Sequence, residues 1–236
     1  MKCIKIEPSI LEGKIKIPPS KSLCHRAIIC ASLGYGESKL ENVIFSEDIM
    51  ATCDGMKILG AKIERIGDSS LLIKGNKPLS LNGKTIDCLE SGSTLRFLIP
   101  IALTQHTKVE FVGRGKLVSR PLDIYYRIFE KQNTLFYTNN KVNLPLTLEG
   151  QLKPGVFEIE GNISSQFISG LLFALPLLYG HSKILVTTNL ESKGYVDLTI
   201  DILKRFGIKI INNEYREFII LGNQNYKATN YRVEGD

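Results

Sequence analysis

The chain repeats itself, and the repeat limits the folds open to it more than any other feature. Three serine-led apolar helices are predicted, over 20–33, 91–103 and 164–178. Each is followed by a short turn and a strand that begins with lysine, over 39–43, 108–112 and 183–187. Each strand leads through a polar loop into an amphipathic helix, over 48–59, 121–131 and 196–206. The first and third of these helices end alike, in Leu59-Gly60-Ala61-Lys62-Ile63 and Phe206-Gly207-Ile208-Lys209-Ile210. The glycine is placed to stop the helix in a left-handed turn. A strand pair follows, including 70–73 before Gly75-Asn76 and 218–221 before Gly222-Asn223. The separation of Gly60 from Gly207 equals that of Asn76 from Asn223 and of Asn42 from Asn189. The middle copy is less regular, with Gln132-Asn133 where the glycine is expected.

A unit of this kind has one buried helix and one half-buried helix. Three copies about a pseudo-threefold axis place the apolar helices in the middle, with sheets and amphipathic helices outside. The expected class is α/β (α+β), a lobe of three helix–strand–helix–strand–strand repeats. At 236 residues and 43% hydrophobic, the chain has enough apolar material for one such core. Ahead of the repeats, 2–7 and 13–17 read as short strands.

The repeat has a functional consequence. The three apolar helices start on Ser20-Lys21-Ser22, Ser91-Gly92-Ser93-Thr94 and Ser164-Ser165-Gln166. If these N-termini point to one end of the lobe, their free N–H groups and hydroxyls form a polyanion site. The alternative is three ordinary serine caps. Pro18 and Pro19 hold the chain extended before the first helix, and Ser20 offers its cap. Lys21 and Arg26 oppose the helix dipole there, a conflict that an anion removes. Arg96 lies near the second start. Arg120 precedes Pro121, a predicted first helical position, so it falls in a loop. Glu191-Ser192-Lys193-Gly194-Tyr195 fills the same slot in the third repeat.

Other chemistries find no support. The net charge is +6, but 24 acids dilute 30 bases, and no basic block or interleaved aromatic platform of the nucleic-acid kind appears. Five cysteines form no CxxC pair, and with three scattered histidines they make no metal pattern. They read as reduced thiols of a cytosolic protein. The segment from Phe167 to Tyr179, interrupted by Ser169, Gly170 and Pro176, is too short to span a bilayer. Asp48 and Asp54, on or beside an amphipathic helix, read as solvated.

Taken together, Pro19-Ser20-Lys21-Ser22 with Arg26, Glu90-Ser91-Gly92-Ser93-Thr94-Leu95-Arg96, Arg120-Pro121, Ser164-Ser165-Gln166-Phe167 and Ser192-Lys193-Gly194-Tyr195 closely resemble the 5-enolpyruvylshikimate-3-phosphate synthases. The motifs occur in the family's order and cover about the first half of a family member. The family transfers the enolpyruvyl group of phosphoenolpyruvate to the 5-hydroxyl of shikimate 3-phosphate and releases phosphate. It does so in a cleft between two similar lobes, without a metal or cofactor, on the route to chorismate and the aromatic amino acids.

The resemblance implies a role for each matched residue. Lys21 would touch both substrates and stabilise phosphoenolpyruvate during transfer. Ser22 and Arg26 would hold the shikimate hydroxyls and carboxylate. Ser164, Ser165 and Ser192 would bind the 3-phosphate, with Lys193 close by. Gln166 would lie between the substrates, Tyr195 by the shikimate ring, and Arg120 and the Gly92 backbone at phosphoenolpyruvate. Replacing Arg26 by alanine is then expected to weaken binding by about 1.5–3 kcal/mol and to leave thermal stability little changed. Glu90, Gly194 and Cys24 depart from the family's pattern. The implied division is 18–233 as the shikimate 3-phosphate lobe, 1–17 as strands of a second lobe, and 234–236 as the start of a crossover to it. The family's acid–base carboxylate lies in that second lobe, so the expectation is a half that binds without turnover and is completed by the C-terminal half. The sister UDP-N-acetylglucosamine enolpyruvyl transferases share the fold but carry a reactive cysteine in a loop that here, around Gly115 to Arg120, has none. A non-catalytic polyanion-binding module is the rival from another class.

Overall fold

The computed structural model describes residues 4–5, 7–8, 10, 12–15, 17–76, 81, 83–139 and 142–236. The first repeat comprises α1 (Lys21–Leu33), β1 (Gly36–Glu41), α2 (Glu47–Ile58), β2 (Lys62–Arg65) and β3 (Ser70–Gly75). The second comprises β4 (Lys84–Asp87), α3 (Gly92–Ala102), β5 (Thr107–Val112), α4 (Asp123–Gln132), β6 (Leu135–Thr138) and β7 (Leu146–Gly150). The third comprises β8 (Val156–Ile159), α5 (Ser165–Ala174), β9 (Ser182–Val186), α6 (Lys193–Arg205), β10 (Ile210–Asn213) and β11 (Glu217–Ile220). A two-residue strand, β12 (Tyr231–Arg232), ends the order.

The sequence unit omits one strand. Each sheet has four strands, ordered β4-β5-β7-β6, β8-β9-β11-β10 and β12-β1-β3-β2. The extra strand pairs parallel to the strand after the apolar helix, so β4-α3-β5 and β8-α5-β9 are parallel crossovers through a buried helix. In the first repeat that strand comes from the far end of the chain: Leu40 pairs with Tyr231 and Glu41 with Arg232. The ring of three repeats therefore closes through its last residues. The same end continues beside the first proline segment, where Ser20 N–H donates to Glu234 O and Asp236 N–H to Pro18 O.

Local chemistry explains why the elements start and stop where they do. Ser46 caps α2, with Glu47 and Asp48 in its first turn and Lys57 in its last. Gly60 (φ 106) and Gly207 (φ 85) take the left-handed turn expected of them, and Asn133 (φ 56) takes it in the irregular middle copy. Asparagine is the usual non-glycine substitute there. The second repeated glycine is steric. A Cβ on Gly75 would lie 2.2 Å from Gly34 O, and one on Gly222 would lie 2.2 Å from Gly180 O. Both glycines let a strand end abut the carbonyls that finish a central helix.

The core is built on the helix trio α1, α3 and α5, buried along nearly their whole length and mostly apolar, with a few buried polar side chains such as His25, Arg26, Thr94, Arg96 and Ser169. Amphipathic helices clamp each repeat to the next. Arg127–Glu160 and Lys131–Glu158, each 2.6 Å, link α4 to the β8 segment, and Arg205–Glu234 at 3.4 Å links α6 to the β12 segment. Cys24, Cys30, Cys53 and Cys88 are buried free thiols. Burial pushes Cys24 up to about 11 and Cys53 up to about 12, so both stay protonated. Cys3 lies outside the described residues. Among the described residues no helix is long and apolar enough to cross a membrane.

Several expectations are corrected. The second amphipathic helix starts at Asp123 rather than Pro121, because a 3-10 turn over Gly115–Ser119 ends at Arg120. The third starts at Lys193, three residues early, behind Ser192 in the left-handed region (φ 56). Of the strands expected over 2–7 and 13–17, residues 2, 3, 6 and 16 lie outside those described, and the described members belong to no strand.

Candidate functional site

The N-termini of α1, α3, α5 and α6 open on one cleft of about 530 Å³. The ring of repeats brings them there, since each central helix leads into a strand with a parallel neighbour in its own sheet: β4 beside β5, β8 beside β9 and β12 beside β1. From α1 come Lys21, Ser22 and Arg26; from the start of α3, Gly92 and Ser93. The loop before α4 adds Arg120. The start of α5 adds Ser164, Ser165 and Gln166, and the start of α6 adds Ser192 and Tyr195. Lys193 is the predicted site residue that does not line the cleft. Its ammonium sits 5.0 Å from the Tyr215 ring centroid, on the outer side of α6.

The helix starts are used differently. Ser91 Oγ accepts from Thr94 N–H at 3.1 Å, and Ser164 Oγ from Gln166 N–H at 3.3 Å, so both are true caps. Ser20 is not a side-chain cap, contrary to expectation. Its hydroxyl donates to Asp236 at 2.9 Å instead. The first turn of α1 therefore has no serine hydroxyl capping its N–H groups.

The charges are mixed but favour an anion. Lys21, Arg26, Arg96 and Arg120 line the cleft against Asp48 and Glu90. Asp48 is not simply solvated: it accepts from Lys21 Nζ at 2.7 Å across the mouth. Asp54 faces solvent and pairs with Lys57 at 2.9 Å. The Arg120 side chain makes no hydrogen bond or ion pair with the described residues. A Cβ on Gly92 would fall 2.6 Å from its Nη1, so glycine at 92 is what lets the guanidinium lie over the start of α3. Glu90 rests its carboxylate over Gly115 (φ +59), where a Cβ would fall 2.4 Å from it, and has no cation partner among the described residues.

Arg26 occupies the wall rather than the opening. It is 3% exposed and donates to Ser22 O at 2.8 Å, Thr199 Oγ1 at 2.8 Å and Tyr195 O at 3.0 Å. Burial pushes its guanidinium down to about 10, still charged at neutral pH. Behind it, a buried polar seam joins the other helices. His25 Nδ1 lies 2.7 Å from Thr52 Oγ1, which lies 2.7 Å from Thr94 Oγ1, which donates to the capping Ser91. Sequence reasoning missed this seam and Thr199, and named Ser93 only among the hydroxyls of a helix start. Their only sequence signal is hydroxyl residues at apolar helix positions. The arrangement can bind a multiply charged anion through hydroxyls, helix N-termini and guanidinium groups. Among the described residues no group of three or more histidine, cysteine or carboxylate side chains is placed to hold a metal ion.

Comparison with known proteins places this geometry. The EPSP synthase of Acinetobacter baumannii superposes with a TM-score of 0.80 at 23% identity, over 95% of this chain and 50% of that one, which shows the fold. A protein of Clostridium novyi (strain NT) named 3-phosphoshikimate 1-carboxyvinyltransferase is 59% identical over 244 residues, covering all of this chain and 56% of the relative. One of the same name from Clostridium perfringens (strain SM101 / Type A) is 60% identical over 237 residues, covering all of this chain and 55% of the relative. The chain thus spans about half the length of the curated relatives it matches. Residues 6–236 match the family described as EPSP synthase (3-phosphoshikimate 1-carboxyvinyltransferase), and the chain belongs to that family.

Proposed function

We propose that the cleft is the shikimate 3-phosphate half of an enolpyruvyl transfer site. The observation that carries the reading is the meeting of serine-led helix starts with a surplus of cations in one cleft. Ser164, Ser165 and Ser192 bind the 3-phosphate: the Ser164 hydroxyl accepts from its own helix and keeps its proton for the ligand. Lys21, held by Asp48, reaches both substrates and offsets the charge that develops on phosphoenolpyruvate as the 5-hydroxyl adds to it. Ser22 and the donors that Arg26 has left over face the shikimate hydroxyls and carboxylate, and Tyr195 packs against the ring. Arg120 and the Gly92 backbone take phosphoenolpyruvate, with Gln166 between the two ligands.

On this reading residues 18–233 form the binding lobe, and 1–17 and 234–236 run toward a second lobe that supplies the proton-transfer carboxylate. The protein is a cytoplasmic biosynthetic transferase with small-molecule substrates, no cofactor and no nucleic-acid partner. Transfer needs both substrates held in contact with water excluded, which one open lobe does not provide. The 236-residue chain mixed with shikimate 3-phosphate and phosphoenolpyruvate is therefore expected to release no phosphate. Adding a polypeptide that spans the rest of a Clostridium perfringens relative is expected to start release. Turnover by the chain alone, or none after mixing although shikimate 3-phosphate binds, contradicts the division of labour.

A further inference from the structure

We infer that Arg96 is a positioning residue that locks the Gln166 side chain as a hydrogen-bond donor to the ligand and holds the Arg120 loop against the same cleft wall. The inference rests on the proposed reading of the cleft and assigns a role to an arginine that the motif reading left as a nearby charge.

The assignment follows from donor inventory. Arg96 Nη1 lies 2.7 Å from Gln166 Oε1. A guanidinium has donors only, so the amide end that faces it must be the oxygen. The NH₂ end is then turned the other way, and Nε2 donates to Ser93 Oγ at 2.9 Å. An amide NH₂ has two protons, and Ser93 takes one. The other is left for the cleft, which Gln166 lines. A ligand atom that meets this remaining N–H is therefore an acceptor, such as a phosphate, carboxylate or ether oxygen.

The second arm of the same guanidinium fixes the loop. Arg96 Nη2 donates to Pro121 O at 3.2 Å, one residue beyond Arg120. Arg96 thus joins the start of α3, the start of α5 and the Arg120 loop. It does so from the cleft wall, 8% exposed, with its guanidinium over the Phe167 ring at 5.0 Å. Its backbone is pinned too, since Arg96 O accepts from Tyr125 Oη at 2.5 Å. No carboxylate pairs with it among the described residues, and its Nε has no partner there. A buried cation without a carboxylate is costly for a lobe that needed it only for packing, and so points to a role in the cleft.

The test uses the full 236-residue chain. In the unsubstituted protein, nitrogen-15 spectra should show the Gln166 side-chain amide as two well-separated protons in slow exchange with water, with or without ligand. Arg96→Met should collapse that pair to the shift and exchange rate of a free amide. It should also weaken shikimate 3-phosphate binding by roughly tenfold or more, the scale of one charge-assisted hydrogen bond. Arg96→Lys, which keeps one donor toward Oε1, should recover most of the protection. A Gln166 amide that is free in the unsubstituted chain overturns the inference whether or not any variant folds. So does a folded Arg96→Met that binds with undiminished affinity. Failure of the unsubstituted chain to bind shikimate 3-phosphate removes the functional reading instead, and the amide spectra still decide the positioning role.

Discussion

Arg26→Ala is expected to lower the melting temperature by about 10 °C, an effect on the fold larger than any the sequence motif suggests. The side chain is 3% exposed and ties α1 to α6 through Thr199 and the Tyr195 carbonyl. Truncation removes three hydrogen bonds, leaves the buried Thr199 hydroxyl without its guanidinium partner and opens a cavity beside Phe97, whose ring lies 5.2 Å from the guanidinium. Losses of this kind sum to about 3–4 kcal/mol. For a domain of this size each kcal/mol is worth about 2–4 °C. Differential scanning calorimetry of the two chains without ligand checks it. A shift under about 2 °C means that Arg26 is a pocket residue with no structural duty, as its motif alone implies.

A second large effect is loss of stability in mild acid through His25. The imidazole is 1% exposed and its Nε2 has no partner among the described residues. Burial pushes its pKa down from 6.5 to about 3; Asp48 opposes that shift, and Arg26 and Lys21 reinforce it. Between these values the unfolded chain binds a proton that the folded chain refuses. Stability therefore falls as pH falls, by up to about 1.4 kcal/mol per pH unit across that window. Urea unfolding at pH 7.5, 6 and 5 measures the slope. His25→Asn, which does not titrate, should be less stable at pH 7.5 but should have a flatter dependence below pH 6. Parallel slopes for the two proteins would mean that the folded imidazole accepts its proton readily.

What was legible in the sequence is periodic or local. Equal spacings betray the repeat because the same turn recurs at Gly60 and Gly207, and the same close approach at Gly75 and Gly222. Serine-led helix starts betray the cleft because capping chemistry is written in adjacent residues. What escaped is nonlocal. β4, β8 and β12 are four residues or fewer, and they exist because a parallel neighbour satisfies their backbone, so no run of their own announces them. Arg26 reads as a ligand clamp, since its spacing from Lys21 says nothing about Thr199, 173 residues away. Lys193 sits beside Ser192 in the motif, yet a left-handed Ser192 starts the helix early and turns the lysine outward.

The central claim is that three repeated helix starts were assembled to hold a sugar-like acid by its phosphate. Calorimetric titration of the chain with shikimate 3-phosphate and with unphosphorylated shikimate tests it most directly. Two or more charge-assisted contacts to the phosphate predict that shikimate 3-phosphate binds at least roughly a hundredfold more tightly. Equal affinities for the two, or no heat with shikimate 3-phosphate, would contradict the claim.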